Sequence, residues 1–146
     1  MENLEALQDG DIANGVYRYA GRAGTADILK MGARGALFPA QLNGSAIDSK
    51  TAFISVTGRA LRFPDYSATN WDAFEESLRD LSWLPGTGCL IVYGDPYYFA
   101  QAAPKDWATA LTILKETAAY WQKKQQPFYV LLRRTLGSAP DVPLLR

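Results

Sequence analysis

Two short apolar runs decide the fold class of this chain, because one long helical pattern separates them. The first run is Cys89-Leu90-Ile91-Val92-Tyr93, and the second is Phe128-Tyr129-Val130-Leu131-Leu132. Short continuous apolar runs bounded by glycine or proline are typical of strands buried on both faces. Two such strands joined by a single helix require a parallel crossover connection. The sequence therefore predicts an α/β fold, with a parallel sheet covered by helices.

The segment between the two runs carries a helical repeat. Pro104 suits the first turn of a helix, Pro127 breaks the pattern, and Lys123 and Lys124 suit the negative end of the helix dipole. Apolar side chains recur along one stripe, which consists of Trp107, Leu111, Leu114, Ala118 and Trp121. This spacing predicts a helix over 104–124.

The region before the first run predicts one more strand of the sheet, over 36–42, where Pro39 is typical of an edge strand. Residues 50–62 leave helix and strand both open, because helical spacing competes with β-branched residues and Gly58. The expected architecture is a small three-stranded parallel sheet.

The expected domain organisation has three parts. Residues 36–134 form the α/β domain, and residues 135–146 form a loose C-terminal tail that contains proline and glycine. Residues 1–35 form an N-terminal extension without a defined architecture. Its patterns favour a helix over 2–8, a short strand over 16–19 and a helix over 27–33.

Composition excludes several kinds of functional site. The chain has no histidine, which removes Ser-His and Cys-His nucleophile systems and histidine-ligated zinc. Its one cysteine, Cys89, permits no internal disulfide and suits a reducing compartment. No signal peptide or membrane-spanning run is visible. We expect a cytoplasmic protein that is not an enzyme and that uses no metal and no cofactor.

The net charge of zero hides an uneven distribution along the chain. Residues 63–121 hold three basic and eight acidic side chains, whereas residues 122–146 hold five basic side chains and one acidic. An acidic segment favours a basic partner, because complementary potentials steer association. The uneven charge distribution by itself is explained at least as well by a solvated surface without a partner.

The segment from Phe63 to Leu81 combines a loop, a helix start and a patterned helix. It reads Phe63-Pro64-Asp65-Tyr66-Ser67-Ala68-Thr69-Asn70-Trp71-Asp72-Ala73-Phe74-Glu75-Glu76-Ser77-Leu78-Arg79-Asp80-Leu81. Asn70 is a favoured N-cap residue. The apolar residues that follow it share one helical stripe, and the acidic residues lie on the opposite face together with Arg79.

This segment resembles the signature of the barstar family, the intracellular protein inhibitors of barnase-type secreted ribonucleases. The parts Pro64-Asp65-Tyr66 and Asn70-Trp71-Asp72-Ala73 are intact, and the resemblance extends over roughly residues 36–134. It implies that an acidic helix and the loop before it block the active site of a basic ribonuclease or related toxin domain. The implied partner is a protein rather than a nucleic acid or a membrane, and the free inhibitor is expected to be a monomer.

The resemblance also implies the partner-binding residues. Asp72 and Glu76 match the two inhibitory carboxylates of the family's helix, and Glu116 matches a third acidic contact on the long helix. Tyr66 matches a loop tyrosine that packs on the enzyme, and Asn70 matches the asparagine that starts the helix. The candidate face is completed by Trp71 and Glu75.

Each candidate residue also has a purely structural interpretation. A carboxylate at Asp72 is stabilised by the helix dipole, and Glu75 and Glu76 have the spacing to pair with Arg79. Tyr66 and Trp71 are equally explained by packing, Asn70 by capping alone, and Glu116 as a solvated helix residue.

Departures from the family pattern leave other functions open. The loop carries Ser67 and Ala68 where the family has an aromatic residue and glycine, and Glu76 stands where aspartate is usual. These changes favour, as the main alternative, a barstar-like interaction module with a non-nuclease partner. An enzyme with Asp72 and Glu76 as an acid–base pair would need both in a cleft. Nucleic-acid binding would depend on one basic group, which consists of Lys123, Lys124, Arg133 and Arg134.

Overall fold

Five parallel strands form the sheet at the centre of the computed structural model, which describes residues 4–64 and 70–146. The strands are β1 (Gly15–Tyr19), β2 (Phe38–Asn43), β3 (Cys89–Gly94), β4 (Phe128–Arg133) and β5 (Leu144–Leu145). They lie in the order β2-β3-β4-β1-β5, and every neighbouring pair is parallel. The predicted α/β class and parallel sheet are confirmed.

The prediction of three strands is wrong, because a strand from each end of the chain joins the sheet. β1 lies between β4 and β5, with Val16 opposite Val130 and Tyr19 opposite Leu145. The C-terminal segment is not loose, since Ala139, Val142 and Leu145 are buried. β1 has five residues and β5 has two, so these strands depend on pairing and burial rather than on a strong local pattern.

Helices cover both faces of the sheet. One face carries α1 (Leu4–Gln8) and α2 (Thr25–Arg34), and the other carries α3 (Lys50–Ala60), α4 (Trp71–Leu78), α5 (Tyr97–Ala102) and α6 (Pro104–Lys123). Successive residues of β3 serve opposite cores: Ile91 and Tyr93 pack beneath α3–α6, and Leu90 and Val92 pack beneath α1 and α2. This alternation follows from the two-residue period of a strand, and it explains why the whole run is apolar.

Local sequence features account for the starts of α3 and α6. Residues 50–62, which were ambiguous in sequence, form α3 after Ser49, whose hydroxyl accepts a 3.1 Å hydrogen bond from the Ala52 amide. The long helix α6 begins at Pro104 as expected and ends at Lys123. α5 was not predicted, because six residues are too few to show a helical period.

Within the described residues, 4–64 and 70–146, no helix is both long and apolar enough to span a membrane. These residues also contain no cluster of three or more His, Cys, Asp or Glu side chains arranged to hold a metal ion.

Candidate functional site

Asn70 fixes the start of α4, the helix that carries most of the candidate residues. Its Oδ1 accepts a 2.8 Å hydrogen bond from the Ala73 amide, and its backbone carbonyl accepts one from the Phe74 amide. The side-chain bond satisfies an N–H group that has no partner within the helix. Asp72 follows in the first turn, where the helix dipole stabilises a carboxylate.

Aromatic contacts hold the inner side of α4 against the core. Phe74 is buried, and its ring centroid lies 5.4 Å from that of Phe53 on α3. Trp71 is half-buried, with ring centroids 6.1 Å from Phe53 and 6.0 Å from Phe74. At the other end of α4, the Trp121 indole Nε1–H of α6 donates a 2.9 Å hydrogen bond to the Leu78 carbonyl. α4 is therefore anchored at both ends on neighbouring helices.

The outer side of α4 presents Asp72 and Glu76 to solvent. Both side chains belong to exposed residues, and their i, i+4 spacing places them on the same side of the helix. Neither carboxylate forms an ion pair with any residue in the described part of the chain. Two unpaired negative charges thus lie side by side on an anchored helix.

An open groove of about 380 Å³ separates α4 from α6. Trp71 and Glu75 line it from α4, and Thr112, Ile113 and Glu116 line it from α6. The fold therefore brings Trp71, Glu75 and Glu116 together, although about forty residues of chain separate Glu75 from Glu116. Asp72 and Glu76 do not line this groove.

Comparison with known protein families shows to which family this chain belongs. The family model described as Barstar (barnase inhibitor) matches residues 37–133, which is more than half of the chain. The chain belongs to the barstar family. The matched segment begins just before β2 and ends with β4, so it contains α3–α6 and every candidate residue. Neither the curated proteins nor the solved structures gave a match.

The role of Arg79 in this barstar-family site was not predicted from the sequence. The Arg79 Nη2 lies 3.9 Å from Glu75 Oε1 and 3.9 Å from Glu116 Oε2, so one guanidinium bridges both glutamates across the groove. The guanidinium carbon also lies 5.5 Å from the centre of the Tyr120 ring. The Glu75–Arg79 pair is visible in the sequence as an i, i+4 spacing, but the contact with Glu116 depends on tertiary structure.

Lys50 is a second cation that the sequence did not connect with the site. It begins α3, and its Nζ lies 5.6 Å from the centre of the Trp71 ring. This distance is within the range of a cation–π contact. The barstar-family face therefore combines exposed carboxylates with two of the chain's own cations.

Tyr66 lies outside the described residues, together with Ser67 and Ala68. Its contact with a partner stays a prediction.

The geometry does not favour the enzyme interpretation of Asp72 and Glu76. Both carboxylates are exposed on the outer side of α4 rather than in a cleft. Acid–base catalysts usually lie in enclosed sites, where burial adjusts their pKa values. Cys89 is no substitute nucleophile, because burial raises the pKa of its thiol to about 12.

The basic group suggested by the sequence is divided in the structure. Lys123 and Lys124 lie at the end of α6, before β4 begins, whereas Arg133 and Arg134 lie at the far end of β4. A six-residue strand spans roughly 20 Å. Arg134 is also committed to Asp95, with Nε–Oδ1 and Nη2–Oδ2 distances of 2.7 Å and 2.9 Å. The four residues do not form one surface for nucleic acid.

Proposed function

We propose that this barstar-family protein inhibits a basic ribonuclease, or a related toxin domain, by covering its active site with α4 and the preceding loop. One observation carries the proposal: Asp72 and Glu76 are exposed, unpaired within the described residues, and side by side on a helix anchored at both ends. The match to the model described as barnase inhibitor supports the same class of function.

The proposed mechanism uses carboxylates in place of substrate phosphates. A ribonuclease holds phosphate with arginine and lysine side chains, and a carboxylate satisfies the same donors through charge-assisted hydrogen bonds. Asp72 and Glu76 would form these bonds, and Asn70 would set the position of the helix start. Because α4 is already ordered, little conformational entropy is lost on binding.

The charges would also accelerate encounter with a basic enzyme. Complementary potentials raise the association rate, and salt screens them over about 10 Å at 0.1 M ionic strength. The proposal therefore includes an association rate that falls steeply with added salt.

The second candidate function is a barstar-like interaction module whose partner is not a nuclease. The sequence at Ser67 and Ala68 favours it, because the family's aromatic residue and glycine are missing from the loop. Glu75 also favours a non-nuclease partner. Some family members carry a large aromatic residue at this position, whereas here Glu75 pairs with Arg79. Glu75 lies on the same helix as Asp72, so this change alters the surface of α4.

We further propose a cytoplasmic location and a monomeric free state. The single cysteine is a buried free thiol, which is compatible with a reducing compartment. In such a location the inhibitor would protect the cell from a secreted ribonuclease before that enzyme is exported.

The decisive experiment is a titration of ribonuclease activity with the purified chain. Barnase serves as the first test enzyme, followed by any basic nuclease that the chain captures from its source cell. We expect complete inhibition at one inhibitor per enzyme, with RNA substrate competing for the same site. No inhibition of any captured nuclease, together with specific capture of a non-nuclease protein, would establish the interaction module instead.

A further inference from the structure

Arg79 lies between two carboxylates of the acidic face, which consists of Asp72, Glu75, Glu76 and Glu116. Its side chain is 41% exposed, and it bridges Glu75, which is 29% exposed, and Glu116, which is 56% exposed. Glu75 and Glu116 line the groove between α4 and α6, together with the half-buried Trp71. Two of the four carboxylates on this face therefore share one positive charge that the chain itself supplies.

The geometry of the bridge is loose. Both N–O distances are 3.9 Å, whereas a strong charge-assisted hydrogen bond is about 2.7–2.9 Å long. The Arg134–Asp95 pair of the same molecule shows the tight form, with two bonds of 2.7 Å and 2.9 Å. Exposed ion pairs of the loose kind contribute little to stability, so Arg79 can release the two glutamates at little cost.

We propose that Arg79 determines partner specificity by competing for Glu75 and Glu116. This inference rests on the proposed function. In the free protein Arg79 holds the two glutamates. A partner gains contact with them only by presenting a cationic group, best a planar guanidinium, that replaces it. Partners that lack such a group do not displace Arg79 and bind through Asp72 and Glu76 alone.

Competition by Arg79 predicts the direction in which the affinity for cations changes when Arg79 is replaced. Replacing Arg79 by a neutral residue frees both glutamates and removes a positive charge that repels basic partners. Cations should then bind the groove more tightly, and the gain should depend on Glu116. If Arg79 had only a structural role in α4, its replacement would weaken the binding of cations or leave it unchanged.

The test is a titration of the full chain with a blocked triarginine peptide, followed by NMR signals of the Trp71 indole and the Thr112 amide. We expect Arg79→Gln to bind the peptide several-fold more tightly than the wild type, and Arg79→Lys to bind it as the wild type does. Arg34→Gln removes an equal charge from the exposed end of α2 on the opposite face, and we expect it to change nothing. The double variant Arg79→Gln/Glu116→Gln should lose the gain, as coupled residues do in a double-mutant cycle.

Equal binding by Arg79→Gln and the wild type would overturn the inference, as would a gain that persists without Glu116. Equal gains for Arg79→Lys and Arg79→Gln would also overturn it, because the charge would then not be the cause. The peptide titration needs no ribonuclease. A chain that shows this coupling but inhibits no nuclease would therefore retain the role of Arg79 and lose the proposed function.

Discussion

The indole Nε1–H of Trp121 donates a 2.9 Å hydrogen bond to the backbone carbonyl of Leu78, which joins the long helix α6 to the last turn of α4. The last carbonyls of a helix have no partner within the helix, so this bond satisfies one that capping does not. It also fixes the position of α4 relative to Glu116. The acidic face is thus a product of two helices that are joined by a specific contact.

Trp121→Phe should lower both the stability and the binding of a partner. Loss of the hydrogen bond is expected to cost about 1–2 kcal/mol, which corresponds to a decrease in Tm of roughly 3–8 °C for a chain of this length. Thermal unfolding and partner affinity measure the two effects. Trp107→Phe is the matched control, since Trp107 donates an equal 2.9 Å bond to the Ser138 carbonyl, away from α4. That variant should lose stability and keep affinity; equal losses of affinity would contradict the account.

Asn70→Ala should weaken the start of α4. The lost cap is expected to cost about 1 kcal/mol in the free energy of unfolding, because the Ala73 amide loses its partner. Asn70→Asp keeps an acceptor at the same place and should retain the stability. Urea unfolding distinguishes the variants. If alanine and aspartate gave the same free energy of unfolding, the cap would not stabilise α4.

Gly44→Ala should strongly destabilise the fold. A Cβ at Gly44 would collide with the backbone carbonyl oxygens of Gly94 and Asp95, so β2 and the end of β3 could not keep their approach. We expect a loss of about 1–3 kcal/mol or more in urea unfolding. Gly94→Ala is the control, because its Cβ would meet nothing closer than the Arg134 side chain at 4.0 Å. A Gly44→Ala variant as stable as Gly94→Ala would contradict this packing.

Stability should decrease in alkaline solution. Burial raises the pKa of the Cys89 thiol from 9.0 to about 12, and burial also raises the pKa of Tyr93. The unfolded chain releases these protons at lower pH than the folded chain does. The free energy of unfolding should therefore fall above pH 9, by about 1.4 kcal/mol per pH unit for Cys89 alone. Urea unfolding between about pH 8 and pH 11 measures the slope, and Cys89→Ala should reduce it; an identical slope in that variant would contradict the assignment.

The sequence predicted the elements whose pattern is long and local. The helical stripes around Phe74 and Leu114 span two or more turns, and β3 and β4 are continuous apolar runs, so each could be assigned from its own residues. The short strand predicted over 16–19 is β1, but its place in the sheet could not be predicted, and β5 was not predicted. Their short segments become strands through pairing: Val16 lies opposite Val130, and Leu145 opposite Tyr19.

The candidate site likewise has features that local sequence predicts and features that depend on tertiary packing. The positions of Asp72 and Glu76 on one side of α4 follow from helical spacing, and so does the pair of Glu75 with Arg79. The groove and the second contact of Arg79, with Glu116, depend on how α6 packs against α4. The prediction of one basic group is wrong for a related reason. Lys124 and Arg133 are close in sequence, but they lie at opposite ends of β4.

The central claim is that Asp72 and Glu76 are the inhibitory carboxylates, and the most direct test is the affinity of four alanine variants for the inhibited ribonuclease. Asp72→Ala and Glu76→Ala should each weaken binding by about 2 kcal/mol or more, which is roughly thirty-fold. Asp48→Ala and Asp141→Ala remove an equal charge from exposed positions outside α4 and α6 and should change affinity less than about twofold. Equal effects of all four substitutions would contradict the claim.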